Sequence, residues 1–373
     1  MVQRQRMVDE FLALVRIDSA SRNERLIADA LIAIMADLGF PVDEDNAGEA
    51  IGGNTGNLFV RIPGTVLAPA IMFCAHMDRV TPGLGIKPQV LEDRIVSDGT
   101  TILAADDLAG VVQILEALRI IKEQNLDHGP LEILFTISEE GGLFGAKNFD
   151  RSRSEADVAY FLDGGGDIGQ LIVQAPAQSK VNVRILGRAA HAGIEPEKGI
   201  SALTVASHAI AKMKLGRIDS ETTSNIGIIS GGAATNIVMD AVDLRCEVRS
   251  LSMDKLYAQI DHMKTLFEDT ATSMQANAEV VVEESYQSYN LKPEDLVVRL
   301  ASAASRDIGR EPQLVPTGGG SDANVLNGKG LASMVLANGL MNAHRLDEYI
   351  LIEELVKGAE LVLAIIASAP AFA

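Results

Sequence analysis

His76 and Asp78 stand two residues apart at the end of the apolar run Ile71-Met72-Phe73-Cys74-Ala75. A lone His-x-Asp carries little information, but other apolar runs close in the same way. Asp106-Asp107 follows Ile102-Leu103-Ala104-Ala105, Glu139-Glu140 follows Leu131 to Ile137, Asp163 follows Val158 to Leu162, and His344 lies just after Met334-Val335-Leu336-Ala337. In an open α/β sheet, ligands bind beyond the carboxyl ends of the strands. Five strand ends bearing His, Asp and Glu therefore describe one crevice. Neutral imidazole and ionised carboxylate are metal ligands, and two histidines with several carboxylates suit a pair of zinc ions.

The remaining polar residues divide by geometry. On an extended strand, positions i and i+2 face the same way, so Asp78 can orient the His76 imidazole. Glu139 and Glu140 are adjacent and point apart: one can bind metal while the other takes a proton from water. Gly141-Gly142 fits an active-site loop. His191, in Ala190-His191-Ala192-Gly193, could stabilise an oxyanion from across a cleft. His128, His208 and His262 read as structural. Gly164 to Gly169 matches the dinucleotide fingerprint, but the next residues, Gln170 to Val173, read as strand, so the context fails. Thr317-Gly318-Gly319-Gly320-Ser321 lacks the lysine of a phosphate loop. It reads as a close approach of backbone to the metal site, with Ser321 or Asp322 opening a helix.

These residues need positioning elements. Helical periodicity marks Val8 to Arg16 and Glu24 to Leu38, split by the turn signal Asp18 to Ser21. Asn57 to Ile62 and Ala70 to Ala75 read as strands, and Val90 to Ser97 as part of a hairpin. Asp106 or Asp107 can cap a helix whose apolar face includes Leu108, Val111, Val112, Leu115 and Leu118. The alternation of strand and helix up to Asp163 predicts a doubly wound α/β domain. After about residue 177 the order becomes strand, helix, two strands, helix, strand, an α+β unit of split-βαβ type. Asp295 to Ile308 (helix) and Leu331 to Ala337 (strand) then resume the first pattern. The expectation is a catalytic domain of residues 1–177 and 292–373, interrupted by a smaller domain of residues 178–291.

The formal charge of −19 argues against nucleic acid and against anionic membranes. Hydrophobic residues make up 47% of the 373, so a folded core is expected. The two cysteines, Cys74 and Cys246, read as buried hydrophobes in a reducing compartment. The N-terminus lacks a signal-peptide pattern, and the uncharged run Leu361 to Ala373 is too short to span a bilayer. A cytoplasmic protein is expected.

His76-Met77-Asp78, Ala105-Asp106-Asp107, Ser138-Glu139-Glu140, Asp163, Ala190 to Gly193, Gly319 to Asn324 and His344 together resemble the peptidase T-like branch of the dinuclear-zinc exopeptidases. The resemblance spans nearly the whole chain and includes the inserted domain, which it makes a lid. It implies that His76, Asp106 and Asp163 serve one zinc ion. Glu140, His344 and the shared Asp106 would serve the other, with Asp106 beside a cis peptide bond. It makes Glu139 the general base and Asp78 the orienter of His76. His191, Asn236 and Arg249 would come from the lid, the last two to hold a substrate carboxylate. Cobalt or manganese could replace zinc, and in some relatives the lid forms a homodimer. Leu108 departs from the usual lysine, and no serine or threonine follows His344. Both departures bear on substrate preference, and neither removes a ligand. The expected activity is hydrolysis of short peptides, foremost as a tripeptide aminopeptidase. A carboxypeptidase or N-acyl-amino-acid amidohydrolase is the alternative on the same scaffold, and a non-catalytic binding protein the remote one.

Overall fold

Strand Ile71–His76 is buried at all six positions. A run with no polar alternation belongs in the interior of a sheet covered on both faces. A computed structural model describing all 373 residues places it there. It runs parallel to Leu131–Thr136 on one side and to Val158–Gly164 on the other, with Cys74 level with Leu134 and Phe161. These strands lie in a nine-stranded mixed sheet. Its order runs Asp43–Glu44, Leu58–Ile62, Leu131–Thr136, Ile71–His76, Val158–Gly164, Ala332–Ala337, Gln170–Ala175, Tyr289–Asn290, with Gln313–Pro316 also pairing Gln170–Ala175. The chain leaves Ile71–His76 for its neighbour on one side and returns to the sheet on the other. Such a reversal of strand order opens a crevice at the carboxyl ends.

Helices Arg4–Val15, Ala105–Gln124, Leu296–Asp307 and Ile352–Ser368 pack on one another, and Ala105–Gln124 also lies on strands Ile71–His76 and Val158–Gly164. The short helices Phe144–Asn148 and Asp322–Gly328 pair separately. The fold is thus a doubly wound α/β sheet, as expected. Helix Ala105–Gln124 differs from the one-sided amphipathic helix expected, because sixteen of its twenty residues are buried. Helices on one side and the sheet on the other leave it almost no solvent-facing stripe. The last helix also extends beyond the apolar run expected to be too short. Ile352–Phe372 is long and apolar enough to cross a membrane by length and composition. In this fold its buried positions Leu355, Ala359, Val362 and Ile366 recur at helical spacing, and the helix packs on Ala105–Gln124 and Leu296–Asp307.

The chain divides into two compact units. The first comprises Met1–Gln174, Asn290–Pro316 and Ser321–Ala373, the second Ala175–Tyr289 with Thr317–Gly320. In the second, strands Ala177–Leu186, Thr222–Gly231, Ala241–Ser250 and Asn277–Tyr286 form an antiparallel sheet. Counted in chain order, they lie 4-1-3-2 across the sheet, which is the split-βαβ arrangement. Helices Ala202–Ile210 and Met253–Ser273 cover one face, and the core between includes Val181, Val183, Val205, Leu244, Val248, Met263 and Phe267. The glycine-rich stretch behaves differently from expectation. Its close approach is to an aromatic ring of the second unit: a Cβ on Gly320 would come within 2.2 Å of the Tyr286 ring.

Candidate metal site

Three parallel strands deliver the first group of side chains. His76 ends its strand, Asp163 sits in the last turn of Val158–Gly164, and Glu139-Glu140 follow Leu131–Thr136 by a short turn. Ser138 has φ +48° and lets the chain bend so that the acidic pair follows directly. Asp106 arrives by another route. Ile102 to Ala105 form no strand, so the expectation of five strand ends is corrected here. Asp106 stands at the start of helix Ala105–Gln124, two residues after the left-handed Ala104. The Asp106–Asp107 peptide is cis. His344 is also off any strand end. It lies in a turn between the paired short strands Leu340–Met341 and Tyr349–Leu351.

The two oxygens of Asp106 face different histidines. Oδ1 lies 3.0 Å from His76 Nε2, and Oδ2 lies 3.1 Å from His344 Nε2. Asp163 Oδ1 is 3.7 Å from His76 Nε2, and Glu140 Oε1 is 2.7 Å from His344 Nε2. Ligand atoms of His76, Asp106 and Glu140 all lie within 4.8 Å of one another, and so do those of His76, Asp107 and Asp163. Asp107 is nevertheless a poor ligand. Its oxygens already accept from the His76 and Gly110 amides and from Asn338 Nδ2. The Gly110 bond also makes Asp107, rather than Asp106, the cap of the helix.

Asp78 works differently from the simple i, i+2 picture. The atom nearest His76 Nδ1 is the Asp78 carbonyl oxygen, at 3.0 Å, while the carboxylate stands off at 3.5 Å. A proton on Nδ1 given to that carbonyl leaves the Nε2 lone pair facing Asp106, the tautomer a metal ligand needs. The Asp78 carboxylate accepts instead from Ser21 Oγ at 2.5 Å and from the Glu139 amide at 2.9 Å. It thereby ties the His76 strand end to the Glu139 turn.

Electrostatics follow from crowding four carboxylates around two imidazoles. Hydrogen bonds to Asp106 and Glu140 raise the His344 pKa to about 10. Burial opposes the charge on His76, but hydrogen bonds to Asp106, Asp163 and Asp78 outweigh it and push its pKa up. Burial would likewise raise Asp106, but the two histidines hold it well below the carboxylate range. Burial lifts Asp163 to about 7. Burial, then repulsion from Asp163, holds the Glu139 carboxyl well above its ordinary value. A cluster with this excess of negative charge and convergent N and O donors fits divalent cations.

Several residues escaped the sequence reading. Glu348 is buried and accepts from the amides of Leu103, Ala104 and Asp106. Glu24 is buried and accepts from the Arg22 and Ser138 amides and the Ser138 hydroxyl. Arg79, 2% exposed, donates to the carbonyls of Val15, Ile17 and Gly83 and to Ser19 Oγ, fastening the first helix to the His76 strand end. Asp322 is 2% exposed, and burial lifts its pKa to about 6. The only sequence signal for Glu348 was its place four residues after His344. Ser21 and Glu24 had only their nearness to a turn.

His191, Asn236 and Arg249 belong to the second unit. Backbone bonds Ala192 N–Asn236 O and Val238 N–Ala190 O, 2.9 Å each, bring the His191 loop beside Asn236. Arg249 stands on strand Ala241–Ser250 and is paired with Glu247 at 3.2 Å. His128 bonds the Gly129 carbonyl, and both cysteines are buried and free.

Peptidase family M20/M25/M40 matches residues 72–368. An aminopeptidase PepT of Bacillus cereus is 48% identical and its crystal structure superposes with a TM-score of 0.92, covering 99% of both chains. A tripeptidase of Staphylococcus aureus is 39% identical, with a TM-score of 0.96 and full coverage of both. A peptidase T of Escherichia coli is 28% identical over 342 residues, 82% of each chain. With sequence, fold and a crevice of metal-ligand side chains in agreement, the chain belongs to the peptidase T-like branch of peptidase family M20/M25/M40.

Proposed function

We propose that this protein is a metal-dependent exopeptidase that removes the N-terminal residue of short peptides, tripeptides foremost. The observation that carries the reading is Asp106, with one oxygen 3.0 Å from His76 and the other 3.1 Å from His344. A carboxylate so placed could serve two ions at once. The similarity to an aminopeptidase and a tripeptidase supports the substrate class. We assign His76, Asp106 and Asp163 to one ion and Glu140, His344 and Asp106 to the other, with zinc the natural choice for N and O donors and cobalt or manganese as substitutes.

Two cations held there would supply Lewis acidity toward a carbonyl and would acidify a water. Glu139 accepts the proton of the attacking water and passes it to the leaving amine. Burial eases the neutral form of a carboxyl, which lets Glu139 hold that proton between the two transfers. Asp78 keeps the Glu139 turn and the His76 ring in register. From the second unit, His191 is assigned the oxyanion, and Asn236 and Arg249 the substrate carboxylate. That unit also takes the role of lid and of the surface for a homodimer.

Glu139→Gln tests the reading. Turnover of a free tripeptide should fall by about 10²–10⁴-fold, with metal content by elemental analysis unchanged. Substantial remaining turnover removes Glu139 from the base role. Faster cleavage of N-blocked peptides than of free ones by the unaltered protein points to carboxypeptidase or amidohydrolase chemistry instead.

A further inference from the structure

The backbone around Asp106 is tied to a distant side chain. The preceding Ala104 is left-handed, φ +60° and ψ +34°, a conformation L residues rarely adopt unless held there. Three amides of this turn meet one buried side chain. Glu348, 1% exposed, accepts from the Leu103 amide at 2.8 Å and the Ala104 amide at 3.1 Å on Oε2, and from the Asp106 amide at 3.2 Å on Oε1. Neighbouring amides converging on one anion form a concave binding turn, and here the anion belongs to the protein. Glu348 sits on the segment that also carries His344, just ahead of strand Tyr349–Leu351. That strand is anchored by pairing with Arg94–Val96. One carboxylate therefore joins the loop of one histidine to the turn of the shared aspartate.

We propose that Glu348 is a positioning residue for the metal pair: it shapes the 103–106 turn around its own carboxylate, so that the two Asp106 oxygens face His76 and His344 at once. This rests on the assignment of Asp106 as the shared ligand. It predicts that loss of Glu348 harms the pairing of the ions more than the stability of the fold. Glutamine keeps the shape but offers one acceptor oxygen and an NH2 group to three amide donors. Aspartate keeps the charge but falls short by one methylene.

The test uses the full-length protein, stripped with chelator and titrated with Mn2+. Manganese binding is read by calorimetry, and exchange coupling between the two ions by electron paramagnetic resonance. The control is Glu132→Gln. Glu132 is another buried carboxylate, bound by Ser154 Oγ and the Glu155 amide, near the opposite end of strand Leu131–Thr136 from the site. In Glu348→Gln, binding of the second Mn2+ should weaken by about 10–100-fold, the coupled signal should give way to that of isolated ions, and kcat should fall with KM little changed. Glu348→Asp should show the same in milder form, and it decides the matter if the glutamine variant does not fold. Glu132→Gln should melt earlier with its isotherm and coupling intact. Wild-type isotherm and coupling in both Glu348 variants, or equal loss of coupling in Glu132→Gln, overturns the proposal while the metal site stands. A wild-type protein that binds fewer than two Mn2+ overturns the site assignment itself and the proposal with it.

Discussion

Asp106 and Asp107 are chemically identical neighbours with opposite employment. Asp106 turns both oxygens toward imidazoles, while Asp107 spends its own on two amides and Asn338. The difference is testable by replacing each with asparagine. Asp106→Asn should lose bound metal and activity with a modest change in folding stability. Asp107→Asn puts an NH2 group against donors and leaves buried amides short of an acceptor. It should cost about 1–3 kcal/mol in urea unfolding and retain measurable metal. If the two variants lose metal equally, the division of roles is wrong. The same contrast separates the carboxyl of Asp78, which joins two segments, from its carbonyl, which lies against His76 Nδ1.

Elements meet closely where glycine allows it. Gly110, one turn into the helix that Asp107 caps, faces strand Val158–Gly164. A Cβ there would lie 2.5 Å from Asp107 Oδ1 and 2.6 Å from the Leu162 carbonyl. Neither atom is a flexible chain end, since the carboxylate is fixed by three donors. Gly110→Ala should therefore destabilise by about 1–3 kcal/mol despite its better helix propensity, read as a lower urea midpoint. It should also disturb the Asp107–His76 amide contact and so reduce activity. An alanine variant as stable as the parent would show that the helix can shift without cost. The helix and strand periods were legible because Ala, Val, Ile and Leu recur at plain spacings. The cap of helix Ala105–Gln124 was legible in the Asp106-Asp107 pair. The turn before it was not, because Ile102 to Ala104 look apolar and strand-like while the amides of Leu103 and Ala104 bond the distant, buried carboxylate of Glu348.

For the whole molecule, the site is a concentration of negative charge assembled from distant stretches of chain, and its protons report on it. Burial raises Glu348 to about 7 and Asp322 to about 6, from ordinary values of 4.5 and 3.8. A carboxyl with its folded pKa above its unfolded value binds its proton more tightly when folded. Its contribution to stability is full at low pH and is lost as pH rises from about 4 through 7. His344, raised to about 10, shifts in the same direction and extends the loss above pH 6.5. Metal-free protein should thus melt at a lower temperature at pH 8 than at pH 5.5, by about 5 °C. Added Zn2+ or Mn2+ binds the folded state, displaces protons and should restore the melting temperature most strongly at high pH. Scanning calorimetry with and without chelator at both pH values checks this, and a melting temperature indifferent to chelator at pH 8 would contradict it.

The amino-acid sequence by itself determined the donor types, the strands that carry His76 and Asp163, the alternation that makes a doubly wound sheet, and the strand–helix order of the second unit. All of these rest on local pattern, because side-chain period and ligand chemistry can be read within a dozen residues. Tertiary structure alone decided that Asp107 gives its oxygens to two amides and Asn338, and that the Asp78 carbonyl, not its carboxylate, lies nearest His76. It also placed Thr317–Gly320 with the second unit. The reason is the range of the deciding bonds. The amide of Asp106 finds its acceptor 242 residues away at Glu348, and Asn338 reaches Asp107 across 231. No spacing rule encodes such partners, which exist only once the sheet has brought the loops together.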